Sequence, residues 1–133
     1  MATASLADYQ VLQDGHTTLS RVNGDSFPNA LDLTFFWPSN LIMSNASRRQ
    51  ILSMKVNPDT DIRFSVFLDG HFLINEINLN SSHTRAYHEV VDVNRVIQSG
   101  VTPSGTVPFR INMLEGRGWF SDIILWYQIE HDV

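Results

Sequence analysis

Cysteine is absent from the sequence, lysine occurs once, and long apolar runs are missing. Without cysteine, disulfides, thiolate metal sites and cysteine nucleophiles are excluded. Lys55 is the one lysine beside eight arginines, and the net charge is −5, so the chain has few cations with which to bind nucleic acid through its phosphates. No run approaches the roughly 18 apolar residues of a membrane span. No signal peptide is visible at the N-terminus, so we expect a cytoplasmic protein or one released by a non-classical route.

Residues that favour β-strands are abundant instead. Val, Ile, Thr, Phe, Tyr and Trp supply 43 of the 133 residues, against 11 for Ala, Glu and Lys, a balance typical of pleated, half-buried surfaces. A chain of this length buries about two-thirds of its surface on folding, which is enough for one core. We therefore expect a single domain spanning residues 1–133.

Short apolar runs separated by Gly, Pro, Asn and Asp predict about nine strands. Asp69-Gly70 lies between two such runs and predicts a two-residue hairpin, whereas Asn94–Gln98 before Gly100 predicts one helical turn. Regular strand spacing without a helical period predicts an all-β, antiparallel sandwich or barrel. The predicted strands are Tyr9–Leu12, Thr17–Val22, Ala30–Trp37, Arg49–Val56, Asp61–Leu68, His71–Leu79, Arg85–Val93, Val107–Leu114 and Trp119–Glu130.

The last predicted strand is apolar at both odd and even positions. Such a strand is expected to be covered on both faces, which predicts that Trp126 lies in the core. Phe36 and Phe67 fall opposite the main apolar face of their own strands. Unless another chain covered them, these two rings would be exposed.

Patterns for nucleophilic and carboxylate catalysis are sparse. No Gly-x-Ser-x-Gly elbow is present, so a serine hydrolase is not expected. Glu89 and Glu115 lie on predicted strands that could be neighbours, which makes them the one candidate for a glycosidase-type carboxylate pair. We expect a protein without catalytic activity.

Metal-binding patterns are equally weak. His83 and His88 are five residues apart, and an odd spacing points two side chains of a strand to opposite faces. Asp59 and Asp61 lie in one tight segment and carry the oxygen ligands that Ca²⁺ prefers. The favoured alternative for these two is an Asx-type turn, so no cofactor is expected beyond this calcium candidate.

Two tryptophans lie at junctions between strands and loops. Trp37 precedes Pro38-Ser39-Asn40, and Trp119 follows Glu115–Gly118. Aromatic faces pack on the apolar faces of sugar rings, while amide and carboxylate groups hydrogen-bond to hydroxyls. The ten Asn and ten Asp residues suit that chemistry as well as they suit turns. Core packing is the alternative for both rings.

From Arg63 onward, the order of features resembles a known family. The segments that carry the resemblance are Val66-Phe67-Leu68-Asp69-Gly70, Tyr87-His88-Glu89-Val90-Val91-Asp92-Val93, Val107–Ile111 and Gly118–Trp126. Together they are similar to the galactose-binding-like jelly roll of carbohydrate-binding modules and of the sugar-binding domain in family 2 glycoside hydrolases. The resemblance covers about half of the chain and implies a jelly-roll sandwich with ligands held by loops at one end.

The leading hypothesis is therefore a non-catalytic, lectin-like module that binds carbohydrate as its partner. Trp37, Tyr87 and Trp119 would stack on sugar, and polar side chains in the same loops would bind hydroxyls. The alternative is a structural subunit that forms a homo-oligomer or docks on another protein, with its second-face aromatics covered. The polar candidates are Asn40, His83, Arg85 and Arg117.

Overall fold

The alternating segments form eight strands that pair into two antiparallel sheets. The computed structural model describes residues 3–42, 49–81, 83–94 and 105–132. One sheet has the order β1-β8-β3-β6 and is called here the β1 sheet; the other has the order β2-β7-β4-β5 and is called the β2 sheet. The strands are β1 Thr3–Ser20, β2 Ala30–Trp37, β3 Gln50–Pro58, β4 Ile62–Leu68, β5 His71–Leu79, β6 Arg85–Val91, β7 Gly105–Glu115 and β8 Arg117–Asp132.

The strand order is that of a jelly roll. Every connection between consecutive strands crosses from one sheet to the other, except the β4–β5 hairpin within the β2 sheet. That hairpin turns at Asp69 and Gly70, whose φ angles are 50° and 79°. Positive φ at both central residues is what a type I′ turn requires. The predicted hairpin and the all-β sandwich are therefore confirmed.

The core lies between the two sheets and is built from the inward positions of all eight strands. Phe64 of the β2 sheet and Phe120 of the β1 sheet meet edge to face, with ring centroids 5.0 Å apart and planes at 78°. Both are fully buried, as are Phe35 and Phe109. Edge-to-face pairs are stabilising only in certain relative orientations, beyond the burial of the rings. The aromatic contacts therefore favour one relative position of the two sheets.

The first two predicted strands are one strand. β1 runs continuously from Thr3 to Ser20 alongside β8, with irregularities in the pairing after Val11 and after Gln13. The intervening residues had indicated a turn, but a long strand can absorb extra residues as bulges. The predicted helical turn extends outside the described residues: Val93 and Asn94 adopt 3₁₀ geometry, and residues 95–104 are not described.

Trp126 lies outside the core, contrary to the expectation. Its side chain is 41% exposed, whereas Phe120 on the same predicted face is fully buried. The cause is a bulge between them: Asp122 has a φ of 49°, and the pairing of β8 with β3 shifts register at this point. One extra residue inverts which face later side chains occupy. Leu125 and Tyr127 consequently point inward, and Trp126 points out.

Candidate functional site

A polar network occupies the end of the sandwich where β7 meets β8, which we call the Arg117 end. The Arg117 guanidinium lies between two carboxylates, 3.1 Å from Asp25 and 3.2 Å from Asp59. The hydroxyl of Ser20 donates to Asp25 at 2.5 Å. This hydrogen bond is the main reason that the pKa of Asp25 is lowered, with Arg117 adding to it. The pKa of Arg117 is raised, first by its hydrogen bond to Asp25.

Gly116 makes this end of the fold possible. It forms the one-residue corner between β7 and β8 and has a φ of 81°. A methyl group at this position would lie 2.1 Å from the carbonyl oxygen of Asp61 and 2.5 Å from the Thr60 hydroxyl. The Thr60 hydroxyl in turn accepts a hydrogen bond from the N–H of Arg117 at 3.0 Å. Close backbone approach therefore sets the position of Arg117.

The calcium candidates Asp59 and Asp61 are engaged by protein donors. Arg117 binds the carboxylate of Asp59, and the N–H of Ser81 donates to the carboxylate of Asp61 at 2.7 Å. Among the described residues, no group of three or more His, Asp or Glu side chains is placed to hold a metal ion. Calcium binding stays a prediction, and it would have to displace these hydrogen bonds.

Strand directions put the polar candidates at both ends of the sandwich. His83 and Arg85 lie at the Arg117 end, where Arg85 donates to the carbonyl oxygen of Asn80 at 2.9 Å. Asn40 lies at the opposite end and bonds the backbone of Glu130, donating from its amide at 2.8 Å. The polar groups predicted to share one binding site are therefore split between the two ends.

The aromatic candidates are split as well. Trp37 is only 4% exposed and packs edge to face on Phe35, so its ring offers no face to a ligand. Tyr87 points toward Phe64, and its hydroxyl donates to Glu89 at 3.0 Å. Burial, followed by the Glu89 hydrogen bond, raises the pKa of Tyr87. The ring of Trp119 lies beside His16 at 5.5 Å.

Glu89 and Glu115 are not on neighbouring strands. Glu89 belongs to β6 of the β1 sheet, whereas Glu115 belongs to β7 of the β2 sheet. Glu115 lies 3.5 Å from the guanidinium of Arg63. The suggested carboxylate pair is therefore wrong, because sequence order cannot show which sheet a strand joins.

A cleft of about 420 Å³ lies on the outer face of the β2 sheet, and we call it the Arg110 groove. Its volume falls within the usual range for small-ligand sites. Asp32, Arg110 and Phe67 lie directly opposite one another on β2, β7 and β4. The lining residues are Asp32, Phe67, Gly70, Pro108, Arg110 and Asn112.

A forked ion pair forms one wall of the groove. The guanidinium of Arg110 donates to both carboxylate oxygens of Asp32, at 2.7 and 3.1 Å. This hydrogen bonding lowers the pKa of Asp32 and raises that of Arg110. Because both side chains are more than half exposed, the pair contributes little to stability. It is a fixed arrangement of donors and acceptors that solvent can reach.

Phe67 forms the other wall, and a second ring lies behind it. The rings of Phe67 and Phe72 stack with centroids 4.5 Å apart and planes tilted by 31°. Asn112 adds an amide beside Arg110 on β7. The groove thus combines a flat apolar surface with charged and amide hydrogen-bonding groups.

A second exposed surface crosses the β1 sheet. One residue from each of the four strands lies opposite its neighbour on the next strand, and we call this set the Trp126 row. Its members, in strand order, are Tyr9 of β1, Trp126 of β8, Ile51 of β3 and Val90 of β6. All four are at least 40% exposed. The rings of Tyr9 and Trp126 are 5.0 Å apart, and Trp126 donates its indole N–H to Ser53 at 2.9 Å. This surface is mainly apolar, in contrast to the Arg110 groove.

The Arg110 groove was missed because its residues are far apart in the sequence. The signal that could have located it is strand parity: Asp32 alternates with Leu31 and Leu33, and Phe67 lies opposite Phe64 and Val66 in the pattern. Phe67 was noted for its exposed face, but only as a contact for other proteins. The partners across the strands, Arg110 above all, depend on sheet order.

The fold and these surfaces define a jelly-roll β-sandwich. Solved structures with the same fold include a β-porphyranase of glycoside hydrolase family 86 from Bacteroides plebeius, 11% identical over 98% of this chain with a TM-score of 0.57. Another is the dimeric latent PorU from Porphyromonas gingivalis, 12% identical over 98% of this chain with a TM-score of 0.52. This chain spans 22% and 13% of those two chains, respectively.

Carbohydrate-binding modules are also among the similar solved structures. One is the C-terminal family 6 module of a laminarinase from Zobellia galactanivorans, 15% identical over 95% of this chain and 99% of its own, with a TM-score of 0.46. No family model and no curated relative matches the chain. In the part of the chain that the structure describes, no helix is long and apolar enough to cross a membrane.

Proposed function

We propose that this chain is a non-catalytic carbohydrate-binding module and that sugar binds in the Arg110 groove. The observation that carries the proposal is the meeting of three kinds of group in one cleft: the Phe67 ring, the Asp32–Arg110 fork and the Asn112 amide. Sugars present apolar ring faces and hydroxyls that both donate and accept. Each of those features has a counterpart here.

The fork has hydrogen-bonding capacity to spare. A guanidinium has five N–H donors, and a carboxylate has about four acceptor positions. The bonds between Arg110 and Asp32 use two of each. The remaining donors and acceptors can bind adjacent hydroxyls of one sugar. Because the two charges are already paired, a neutral sugar fits better than an acidic one.

The residues predicted from the sequence to bind sugar from the loops are less well placed to do so. The Arg117 guanidinium is held between two carboxylates, and Trp37 is buried. The groove residues, in contrast, project from paired strands and are exposed. One of the chains of similar fold is a β-porphyranase of a glycoside hydrolase family, which agrees with a carbohydrate ligand without identifying it.

Titration calorimetry against a panel of neutral oligosaccharides tests the proposal. For any sugar that binds, we expect Phe67→Ala and Arg110→Met each to weaken binding about tenfold, the size expected from losing a stacking face or a charged hydrogen-bond donor. Phe36→Ala is the matched control. Phe36 is an exposed phenylalanine of the same β2 sheet, but it does not line the groove.

The proposal fails if no neutral glycan binds. It also fails if Phe36→Ala weakens binding as much as Phe67→Ala does, because the ligand would then lie elsewhere. Circular dichroism of each variant separates loss of the site from loss of the fold.

Self-association is the second candidate function. The Trp126 row favours it, because four neighbouring side chains on all four strands of the β1 sheet stay exposed and are mainly apolar. Exposed apolar patches of this kind commonly mark contact surfaces. A sugar-binding module that forms pairs would satisfy both candidates.

A further inference from the structure

The edge strand of a sheet has unpaired backbone N–H and C=O groups that can bond to a strand of another chain. Three of the four edge strands here carry features that hinder such pairing. The edge of β2 is capped by the side-chain amide of Gln10, which donates to the carbonyl oxygen of Phe36 and accepts from its N–H at 2.9 Å. β1 carries pairing irregularities after Val11 and after Gln13. β5, the other edge of the β2 sheet, is interrupted by two register shifts against β4.

Strand β6 is the exception. Its seven residues pair with β3 in unbroken register, from Gln50 opposite Val91 to Val56 opposite Arg85. No described strand pairs with its other side. The strand contains no proline, lysine or bulge to discourage pairing. Val90, at 53% exposed, places an apolar side chain directly on this edge.

The sequence of β6 is complementary to itself. If two antiparallel copies meet with His88 opposite His88, Tyr87 lies opposite the partner's Glu89 and Ala86 opposite the partner's Val90. Arg85, Tyr87 and Glu89 share one face of the strand because they alternate. Arg85 is then diagonal to the partner's Glu89, a separation that long side chains span. Twofold symmetry makes each of these contacts twice, except that between the two His88 residues on the axis.

Hydrogen-bonding groups on β6 remain available for those contacts. The Tyr87 hydroxyl already donates to Glu89 at 3.0 Å within one chain, so the pair can exchange that bond across the axis. Arg85 uses one guanidinium N–H on the carbonyl oxygen of Asn80, which leaves four donors. On the other face, the small Ala86 leaves room for the partner's Val90, which would lose its contact with water.

We propose that two copies of this chain pair through β6, antiparallel about a twofold axis at His88, so that the two β1 sheets form one continuous sheet. The occupant of the edge is a second copy, since antiparallel self-pairing brings Arg85 of each strand near Glu89 of the other on both sides of the axis. The pairing is independent of sugar binding, because the Arg110 groove lies on the other sheet.

Sedimentation velocity from about 5 to about 500 µM tests this pairing. We expect the native chain to form a concentration-dependent dimer. Glu89→Arg places like charges at both symmetry-related diagonals, so the dissociation constant should rise at least about tenfold. The double variant Arg85→Glu with Glu89→Arg exchanges the charges and should return the dissociation constant to within about threefold of the native value.

Asp8→Arg is the matched control, because it makes the same charge change on β1 at the opposite edge of the same sheet. It should leave the dimer intact. A native chain that stays monomeric at 500 µM overturns the proposal, and so does a charge exchange that fails to restore the dimer while circular dichroism shows native strand content. An association that Trp126→Gln abolishes and Glu89→Arg spares would also overturn it in favour of contact through the sheet face.

Discussion

The one-residue corner at Gly116 gives the sharpest test of the fold. Replacing Gly116 with Ala adds a single methyl group at a residue whose φ is 81°. An L-residue in that left-handed region costs roughly 1–2 kcal/mol. The methyl group would also lie 2.1 Å from the carbonyl oxygen of Asp61, and relieving such an overlap typically costs a further 1–3 kcal/mol or so. We expect Gly116→Ala to lower the free energy of unfolding by about 2–5 kcal/mol.

Gly24 supplies the control. Its φ of 92° is also positive, but no atom lies within 4 Å of the position that a methyl group would take. Gly24→Ala should therefore show the conformational cost alone, roughly 1–2 kcal/mol. Urea denaturation followed by circular dichroism measures both variants. If Gly116→Ala destabilises the protein no more than Gly24→Ala does, the close approach to Asp61 does not constrain the β7–β8 corner, and the reasoning is refuted.

Three further predictions concern charge, exposure and the bulge. Arg110 lowers the pKa of Asp32 in the folded state. The Asp32 carboxylate therefore stabilises the fold above its ordinary pKa, and this stabilisation is lost as the pH falls through the lowered value. In urea denaturation between pH 5 and 2, the free energy of unfolding of Arg110→Met should fall less steeply with pH than that of the native chain. Acrylamide should quench Trp126 most strongly, the partly buried Trp119 less and Trp37 hardly at all, so Trp126→Phe should remove the most strongly quenched part of the fluorescence; unchanged quenching would contradict the orientation of β8. Asp122→Val should cost about 1–2 kcal/mol because a β-branched residue tolerates the positive φ poorly, whereas Asp122→Gly should fold as well as the native chain in the same denaturation assay.

Local signals in the sequence predicted much of the fold. Ala30–Trp37 and His71–Leu79 are strands with the predicted bounds, because turn residues flank each apolar run. The Asp69-Gly70 hairpin followed from the backbone angles that only certain residues tolerate. These features depend on neighbours in the sequence, which is why no tertiary information was needed to find them.

The site depended on information that local patterns do not hold. Trp126 was assigned to the core because the last strand is apolar at both odd and even positions, but only one face of β8 is covered, and the bulge at Asp122 turns Trp126 to the other face. Trp37 and Trp119 were paired because both adjoin loops, but Trp37 is buried opposite Gly105 at one end of the sandwich, whereas Trp119 lies at the Arg117 end. The meeting of Asp32, Arg110 and Phe67 follows from the order of β2, β7 and β4 in the sheet.

The Arg110 groove lies on the outer face of paired strands. The residues proposed to bind a ligand are therefore different from the residues that form the core. Asp32 and Arg110 alternate with inward residues such as Phe109 and Ile111, which are fully buried in the core. Substituting an outward side chain removes no core contact, so the ligand preference of the proposed site would be able to change one residue at a time at little cost in stability. The same framework also restricts adaptation: strands cannot close around a ligand as loops can, so the cleft must select molecules that fit its existing shape.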